Sequence, residues 1–159
     1  MKKIMHVILM VISVVILSAC QKDEVSEEDV KAFVTEYKSI THDIPVPEEA
    51  FDFDVLEKVK PYLNDEWFKM NERDKRVYFP RSYVSVSGNA VSLNDVLIDN
   101  LEENPDGEGY AVKYTLLLTV GDEEVKKEGD MKIIEGKPKG FIITYDWEKQ
   151  ITVNRYHFR

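Results

Sequence analysis

Hydrophobic and polar positions divide the chain into three regimes. Residues 4–17 are almost wholly apolar and follow a cationic Met1-Lys2-Lys3 start. From Val30 to Met70 apolar residues recur every three or four positions, and beyond Pro80 the period shortens to two. The longer rhythm marks one buried face of a helix and the shorter one marks one face of a strand. The chain therefore reads as helices first and strands afterwards.

The first helix opens at Ser26, a capping residue with Asp29 three positions on. Glu27, Glu28 and Asp29 suit the positive end of its dipole. Val30, Phe33, Val34, Tyr37 and Ile40 fall on one face. The Thr41–Pro47 stretch carries two prolines and is read as a loop holding His42, because the residue before a proline is pushed to extended geometry. A second helix begins near Asp52–Asp54, capped by Asp54, with Val55, Leu56, Val59, Tyr62 and Leu63 as its apolar face. Pro61 predicts a kink or break there. A third runs from Asp65 to Arg76 and carries Trp67, Phe68 and Met70. Arg73, Lys75 and Arg76 complement its negative end.

Tyr83–Ser87 alternates like a strand, and Gly88-Asn89 can supply a tight hairpin turn. Ala90 to about Leu101 is a weaker strand, and Asn104-Pro105-Asp106-Gly107 is a turn signal. In Gly109–Val120, Tyr110, Val112, Tyr114, Leu116, Leu118 and Val120 share one face. Glu123–Glu135 is a charged strand with Val125, Met131 and Ile133 on one face. Gly140–Glu148 then sets Phe141, Ile143, Tyr145 and Trp147 on one face. Residues 151–158 read as a last edge strand or an extended tail. Short turns between neighbouring strands predict an antiparallel meander whose apolar face the helices cover. The predicted fold class is α+β: two or three N-terminal helices packed on a twisted antiparallel sheet.

That element order resembles the cystatin-like roll of nuclear transport factor two, scytalone dehydratase, ketosteroid isomerase and the SnoaL-type polyketide cyclases. The resemblance covers roughly residues 26–148. It rests on the first-helix pattern Glu28-Asp29-Val30-Lys31-Ala32-Phe33-Val34 and on a closing strand like Phe141-Ile142-Ile143-Thr144-Tyr145-Asp146-Trp147. It implies a cone that often holds a pocket between sheet and helices. It implies no single chemistry, since one fold hosts many.

Leu17-Ser18-Ala19-Cys20 ends the apolar run and contains the chain's one cysteine. It resembles the lipobox of a bacterial lipoprotein, in which that thiol takes a diacylglyceryl group and becomes the new N-terminus. The run is short beside the ~20 residues a spanning helix needs, and the layout is that of an export signal. The resulting organisation is 1–19 as a cleaved leader, 20–25 as a lipidated tether and 26–159 as one α+β domain. Acyl chains at Cys20 would hold the domain on the outer face of the cell membrane.

Thirty acidic residues against twenty-one basic ones give a net charge of −9. Loss of Lys2 and Lys3 with the leader makes the domain more acidic still. Such a chain is repelled by phosphate backbones, so nucleic acid is not an expected partner. With Cys20 acylated no thiol remains, which excludes thiol catalysis, thiolate zinc sites and disulfides from the mature form.

Candidate chemistry is sparse. His42 and His157 are the histidines beyond the leader, and both read as loop or surface residues. Tyr110, Tyr114, Tyr145 and Trp147 are the candidate pocket residues, with core packing as the competing reading. Asp146 alternates to the face opposite Tyr145 and Trp147, which argues against a buried base there. Asp52 and Asp54 resemble half of a calcium clip but lack the glycine and the terminal glutamate. Asp95, Asp99, Glu102, Glu103 and Asp106 read as a solvated face. Arg73, Lys75, Arg76 and Arg81 form the one dense basic cluster, read as salt-bridged to neighbouring carboxylates. No serine elbow, phosphate loop or His-Glu-x-x-His pattern occurs.

The expectation is a membrane-anchored extracytoplasmic domain without catalysis, cofactor or metal, binding an envelope protein or a small apolar ligand. Two alternatives stand beside it: a small pocket enzyme or apolar-ligand carrier of the cyclase and isomerase type, and a subunit of an envelope-spanning assembly.

Overall fold

Residues 25–44, 54–153 and 156–158 are described by a computed structural model. The leader, Cys20, all of the tether but Val25, and Asp52 lie outside the described residues. Helix α1 spans Glu27–His42 and is capped at Ser26, whose Oγ accepts from the Asp29 N–H at 3.0 Å. Its buried face holds Val30, Phe33, Val34 and Tyr37, and also Lys38, Thr41 and His42. His42 is thus the last residue of a helix and is buried, not a loop residue. The chain leaves α1 through Ile44, which bridges to Val91.

Helix α2 is short, Val55–Val59, and passes at Pro61 into a tight turn of helix over Lys60–Tyr62. Asp54 stands at its N-cap position but makes no side-chain capping bond. Helix α3, Asp65–Asp74, is capped by Asn64, whose side chain accepts from the Trp67 N–H at 2.7 Å. It ends at Lys75, the one non-glycine among the described residues with positive φ, at 57°.

Helix α4 spans Phe79–Ser87, where the sequence predicts a strand. Tyr83-Val84-Ser85-Val86-Ser87 alternates in hydropathy, yet adjacent Tyr83 and Val84 are both buried and Val86 is 70% exposed. Only a helical turn buries two neighbours together and exposes the residue two further on. Pro80 sits in the first turn, where a missing N–H costs nothing. Gly88 is the C-terminal stop of this helix, not a hairpin: it adopts φ 72° and its N–H returns to the Val84 carbonyl at 2.8 Å.

Strands β1 (Val91–Glu103), β2 (Tyr110–Val120), β3 (Glu123–Gly136) and β4 (Gly140–Glu148) form one antiparallel sheet in that order. The helices cover its inner face, where Val112, Leu116, Leu118, Met131, Ile133 and Ile143 are buried. Phe33 of α1 packs edge-on against Phe141 at 5.4 Å, and also lies against Tyr62. Edge strand β1 is interrupted twice, between Leu93 and Asp95 and between Ile98 and Asn100. Asp95 there pairs with Lys31 and Asp99 accepts from Thr115, so bulges and charge blunt the edge. The last residues are neither a single edge strand nor a tail. They form a hairpin of β5 (Ile151–Val153) and β6 (Tyr156–Phe158) that brings Phe158 into the core against Tyr83 at 4.8 Å.

The sheet's decisive irregularity lies in β4. Ile143 pairs with Ile133 and Tyr145 with Lys132, so Thr144 is an extra residue and its hydroxyl donates to the Lys132 carbonyl. A one-residue insertion exchanges the two faces of everything beyond it. Phe141 and Ile143 point into the core as expected. Beyond Thr144, Tyr145 and Trp147 turn outward, 38% and 45% exposed, while Asp146 and Glu148 turn inward.

No helix among the described residues is long and apolar enough to cross a membrane.

Candidate functional site

The inward turn of Asp146 and Glu148 places two carboxylates under α1, and two lysines meet them. Lys38 projects from the buried stripe of α1, and its Nζ donates to Asp146 Oδ2 and to Glu148 Oε1, each at 2.6 Å. Lys127 comes from the inner face of β3 and donates to Glu148 Oε2. The side chains of Lys38 and Lys127 are 1% and 0% exposed. His42 Nε2 lies 3.0 Å from Glu148 Oε2, and its Nδ1 lies 2.8 Å from the Thr41 hydroxyl. Tyr114 donates to Asp146 Oδ1 at 2.7 Å.

Rings insulate both cations. Lys38 Nζ stands 5.0 Å from the Tyr37 ring centre and 4.8 Å from that of Tyr114. Lys127 Nζ stands 4.5 Å from Phe158 of the terminal hairpin, whose ring also meets His42 edge-on. A desolvated ammonium over an aromatic face gains a further electrostatic contribution.

Burial opposes ionisation at every member, and the partners decide the outcome. Burial alone would lower Lys38, but Asp146 and Glu148 outweigh it and hold its pKa above the ordinary value. At Lys127 burial wins over Glu148, and the pKa falls. Burial works against the Glu148 carboxylate, yet His42, Lys127 and Lys38 keep its pKa well below the usual range. His42 is lowered by burial despite Glu148, so it is a neutral imidazole at neutral pH. Burial, and then the Asp146 and Glu148 charges, push the Tyr114 phenol well up, so it remains a donor. Lys38 is thus held as an ammonium and Glu148 as a carboxylate, and the pair forms the charged centre of the cluster beside a neutral His42.

A cleft of about 390 Å³ opens onto this cluster. Lys38, His42, Asp146 and Glu148 lie along its floor, and Tyr37, Trp67, Phe79 and Trp147 are among its walls. Arg76 stands at the side with its guanidinium 5.3 Å from the Trp67 ring and an Asp74 oxygen 3.6 Å away.

The four sequence-selected pocket residues do not come together. Trp147 lines the cleft. Tyr114 lies beneath it, fully buried, in the charged cluster. Tyr145 is on the outward side against Trp67, with ring centres 5.5 Å apart. Tyr110 belongs to a different hollow, lined by Glu103, Gly109 and Ile134 at the other end of β2. His157 is exposed, beside the Thr152 hydroxyl. Of the basic cluster, Arg73 pairs with Asp74, and Arg81 is buried and donates to the carbonyls of Ile40 and Thr41 at the end of α1. Among the described residues, no grouping of histidine, aspartate and glutamate is arranged to hold a metal ion.

Asp146, called outward-facing by strict alternation, is inward because of Thr144. Lys38, Lys127 and Glu148 are not among the sequence candidates, and His42, weighed there as a loop histidine, belongs instead to the buried end of α1. Two signals could have found the lysines. Lys127 occupies the same strand parity as Val125, Met131 and Ile133, and Lys38 lies four residues after Val34 on the buried stripe of α1. A lysine at an apolar position implies a buried counter-charge.

Chemically, the cluster is closed on itself. Both His42 ring nitrogens are engaged within the chain, and the Nζ atoms of both lysines are turned to carboxylates. A general base needs a lone pair within reach of a substrate proton, and His42 offers none to the cleft in this arrangement.

No protein-family model matches the chain, and no curated protein matches it in sequence. Solved structures match it in fold. A periplasmic fragment of TraM is 12% identical, covering 79% of this chain and 98% of that one, with a TM-score of 0.55. The Ntf2-like potential transfer protein TraM from the Gram-positive conjugative plasmid pIP501 is 15% identical over 81% of this chain and all of its own, at a TM-score of 0.51. An IcmL-like type IV secretion system protein from Legionella pneumophila is 11% identical over 81% of this chain and 96% of that one, at 0.53. The fold is therefore α+β, with helices preceding a four-stranded antiparallel sheet, and is similar to that of the Ntf2-like TraM.

Proposed function

We propose that this chain is a non-catalytic interaction subunit of an envelope-spanning transfer or secretion assembly, standing on the outer side of the cytoplasmic membrane. The observation that carries the reading is the extent of the fold likeness. The periplasmic TraM fragment, the conjugative-plasmid TraM and the IcmL-like secretion protein each match about four-fifths of this chain and nearly all of themselves. The closed polar cluster supports the non-catalytic part: its ionisable groups are spent on one another and hold the fold.

The anchor in this reading is the acylated Cys20, which confines the domain to the membrane surface where such assemblies are built. Protein partners follow from the setting, and the small apolar ligand of the sequence reading becomes the weaker option. Gentle detergent extraction followed by native-size separation tests the proposal. The chain is expected to co-migrate with a larger complex, and Cys20→Ser is expected to release it from membranes or leave it unprocessed. Migration as a free monomer from cells with an intact transfer apparatus would refute the assembly reading.

A further inference from the structure

The charges around the cleft differ in how completely the chain itself answers them. Every oxygen of Asp146 and Glu148 is already engaged, by Lys38, Lys127, His42 or Tyr114. Arg76 is not. It lines the cleft with its side chain 39% exposed, and it makes no hydrogen bond among the described residues. The carboxylate beside it, Asp74, is committed elsewhere. Arg73 donates from Nε to Asp74 Oδ1 at 2.6 Å and from Nη2 to Oδ2 at 3.1 Å. Arg76 Nε stands 3.6 Å from Oδ2, beyond hydrogen-bond reach. One carboxylate thus faces two guanidinium groups, and the fork of Arg76 is left over.

The backbone fixes where that fork lies. Helix α3 ends at Lys75, whose φ of 57° and N–H bond to the Asn71 carbonyl at 2.8 Å reverse the chain. The reversal lays Arg76 over Trp67 of the same helix, 5.3 Å from its ring centre. Trp67 is buried and packs against Tyr145, so the platform is held. A guanidinium held over a ring by its charge keeps its N–H fork for an acceptor, and that fork matches the two oxygens of a carboxylate.

Beside this donor the cleft is apolar. Val77, Phe79 and Pro80 follow Arg76 along the chain, and Trp147, 45% exposed, lines it from β4. An apolar ligand alone would take water from Arg76 and give nothing back. A carboxylate alone would leave the apolar walls wet. The last residue of a polypeptide answers both, because its carboxylate and its side chain hang on one Cα. A cavity of about 390 Å³ is at the small end for ligand sites and suits one large residue. The net charge of −9 belongs to the whole chain and is screened beyond roughly 10 Å in ordinary salt, so the local donor decides.

We infer that this cleft receives the C-terminal residue of a protein partner, its carboxylate on the Arg76 fork and its apolar side chain against Trp147 and Phe79. The inference rests on the assembly reading for the partner being a protein, and it adds the chemistry of the contact.

The test uses the full-length chain in mild non-ionic detergent, labelled with nitrogen-15 so that its two indole N–H signals can be followed. The probes are an acetylated Gly/Ser pentapeptide ending in phenylalanine, the same peptide as its C-terminal amide, N-acetyl-phenylalanine and acetate. Saturable movement of the indole signals with the free-acid peptide is expected, with none for the amide or for acetate. Arg76→Gln should weaken the peptide by at least about tenfold, and Arg76→Lys should not restore it, because a point charge replaces the fork. Raising the ionic strength should weaken binding to the unaltered chain, a readout that needs no variant. Equal response to acid and amide, no response, or indifference to both Arg76→Gln and salt would overturn the inference. Binding of N-acetyl-phenylalanine but not of the pentapeptide would make the occupant a small organic acid and remove the chain end. The two readings fail separately. A co-migrating complex that survives Arg76→Gln intact keeps the assembly and removes this contact, and a free monomer that still binds the free-acid peptide does the reverse.

Discussion

Gly129 stands directly opposite Tyr114 on neighbouring strands, and the Tyr114 ring occupies the space a side chain at 129 would need. A Cβ there would lie 2.3 Å from Tyr114 Cζ and 2.4 Å from its hydroxyl. The missing side chain lets the ring lie flat across β3, under Lys38 and within reach of Asp146. Gly129→Ala should therefore displace the ring and break the Tyr114–Asp146 bond, costing about 1–3 kcal/mol as overpacking does. Chemical denaturation measures it, and an unchanged midpoint would show that the ring has another place to go.

The charged cluster is expected to be sensitive to removal of either sign. Lys127→Met leaves Glu148 buried with one cation fewer, and Lys38→Met strips both Asp146 and Glu148 of a donor. Breaking one side of a buried pair typically costs about 3–5 kcal/mol. The double variant Lys127→Met with Glu148→Gln should be less damaging than the two single losses added together. Simple additivity in that cycle would mean the two residues do not act as a pair.

Stability should fall in acid, and His42 and Glu148 contribute with the same sign. The folded-state pKa of His42 is lowered from 6.5, so the unfolded chain takes up that proton first as pH drops. Its contribution is full above about 6.5 and is lost below it. Glu148 is also lowered, from 4.5, so its contribution is lost as pH falls through and below that value. Lys38, raised from 10.5, adds the opposite limb: its stabilisation is intact below 10.5 and lost above it. The groups facing His42 are Glu148, Lys127, Lys38, Thr41 and the Phe158 ring. His42→Gln should flatten the limb just below pH 6.5 and also weaken the Glu148 limb, because His42 is first among the groups that hold that carboxylate down. Melting temperatures across pH 4–8 would reveal this, and an unaltered upper limb would assign it elsewhere.

Two aromatic residues near the same cluster should behave oppositely. Phe158 is fully buried against Tyr83, His42 and Lys127, so Phe158→Ala should cost about 3–5 kcal/mol. Trp147 is 45% exposed and should tolerate alanine within about 0.5 kcal/mol. Equal losses in thermal unfolding would mean that Trp147 is part of the core.

Much of the scaffold was legible in the sequence. Ser26 and Asp29 do cap α1, Pro61 does break the second helix, and the Tyr110–Val120 alternation does put Val112, Tyr114, Leu116 and Leu118 inside. These are local rules: a cap is settled within three residues and a strand face within two. Where the rhythm misled, a distant contact had the final word. Tyr83–Ser87 alternates like a strand but winds as a helix, because Tyr83 and Val84 both find buried partners there and Phe158 closes over Tyr83.

The candidate site belongs to the second kind. Sequence by itself determined that helices precede a meander and that the domain is acidic. Tertiary structure decided that Lys38 and Lys127 are buried and what they meet. One extra residue at Thr144 reverses the faces of β4, turns Tyr145 and Trp147 out, and sends Asp146 and Glu148 in beneath α1. A bulge is a property of how two strands pair, so the alternation of one strand alone could not reveal it.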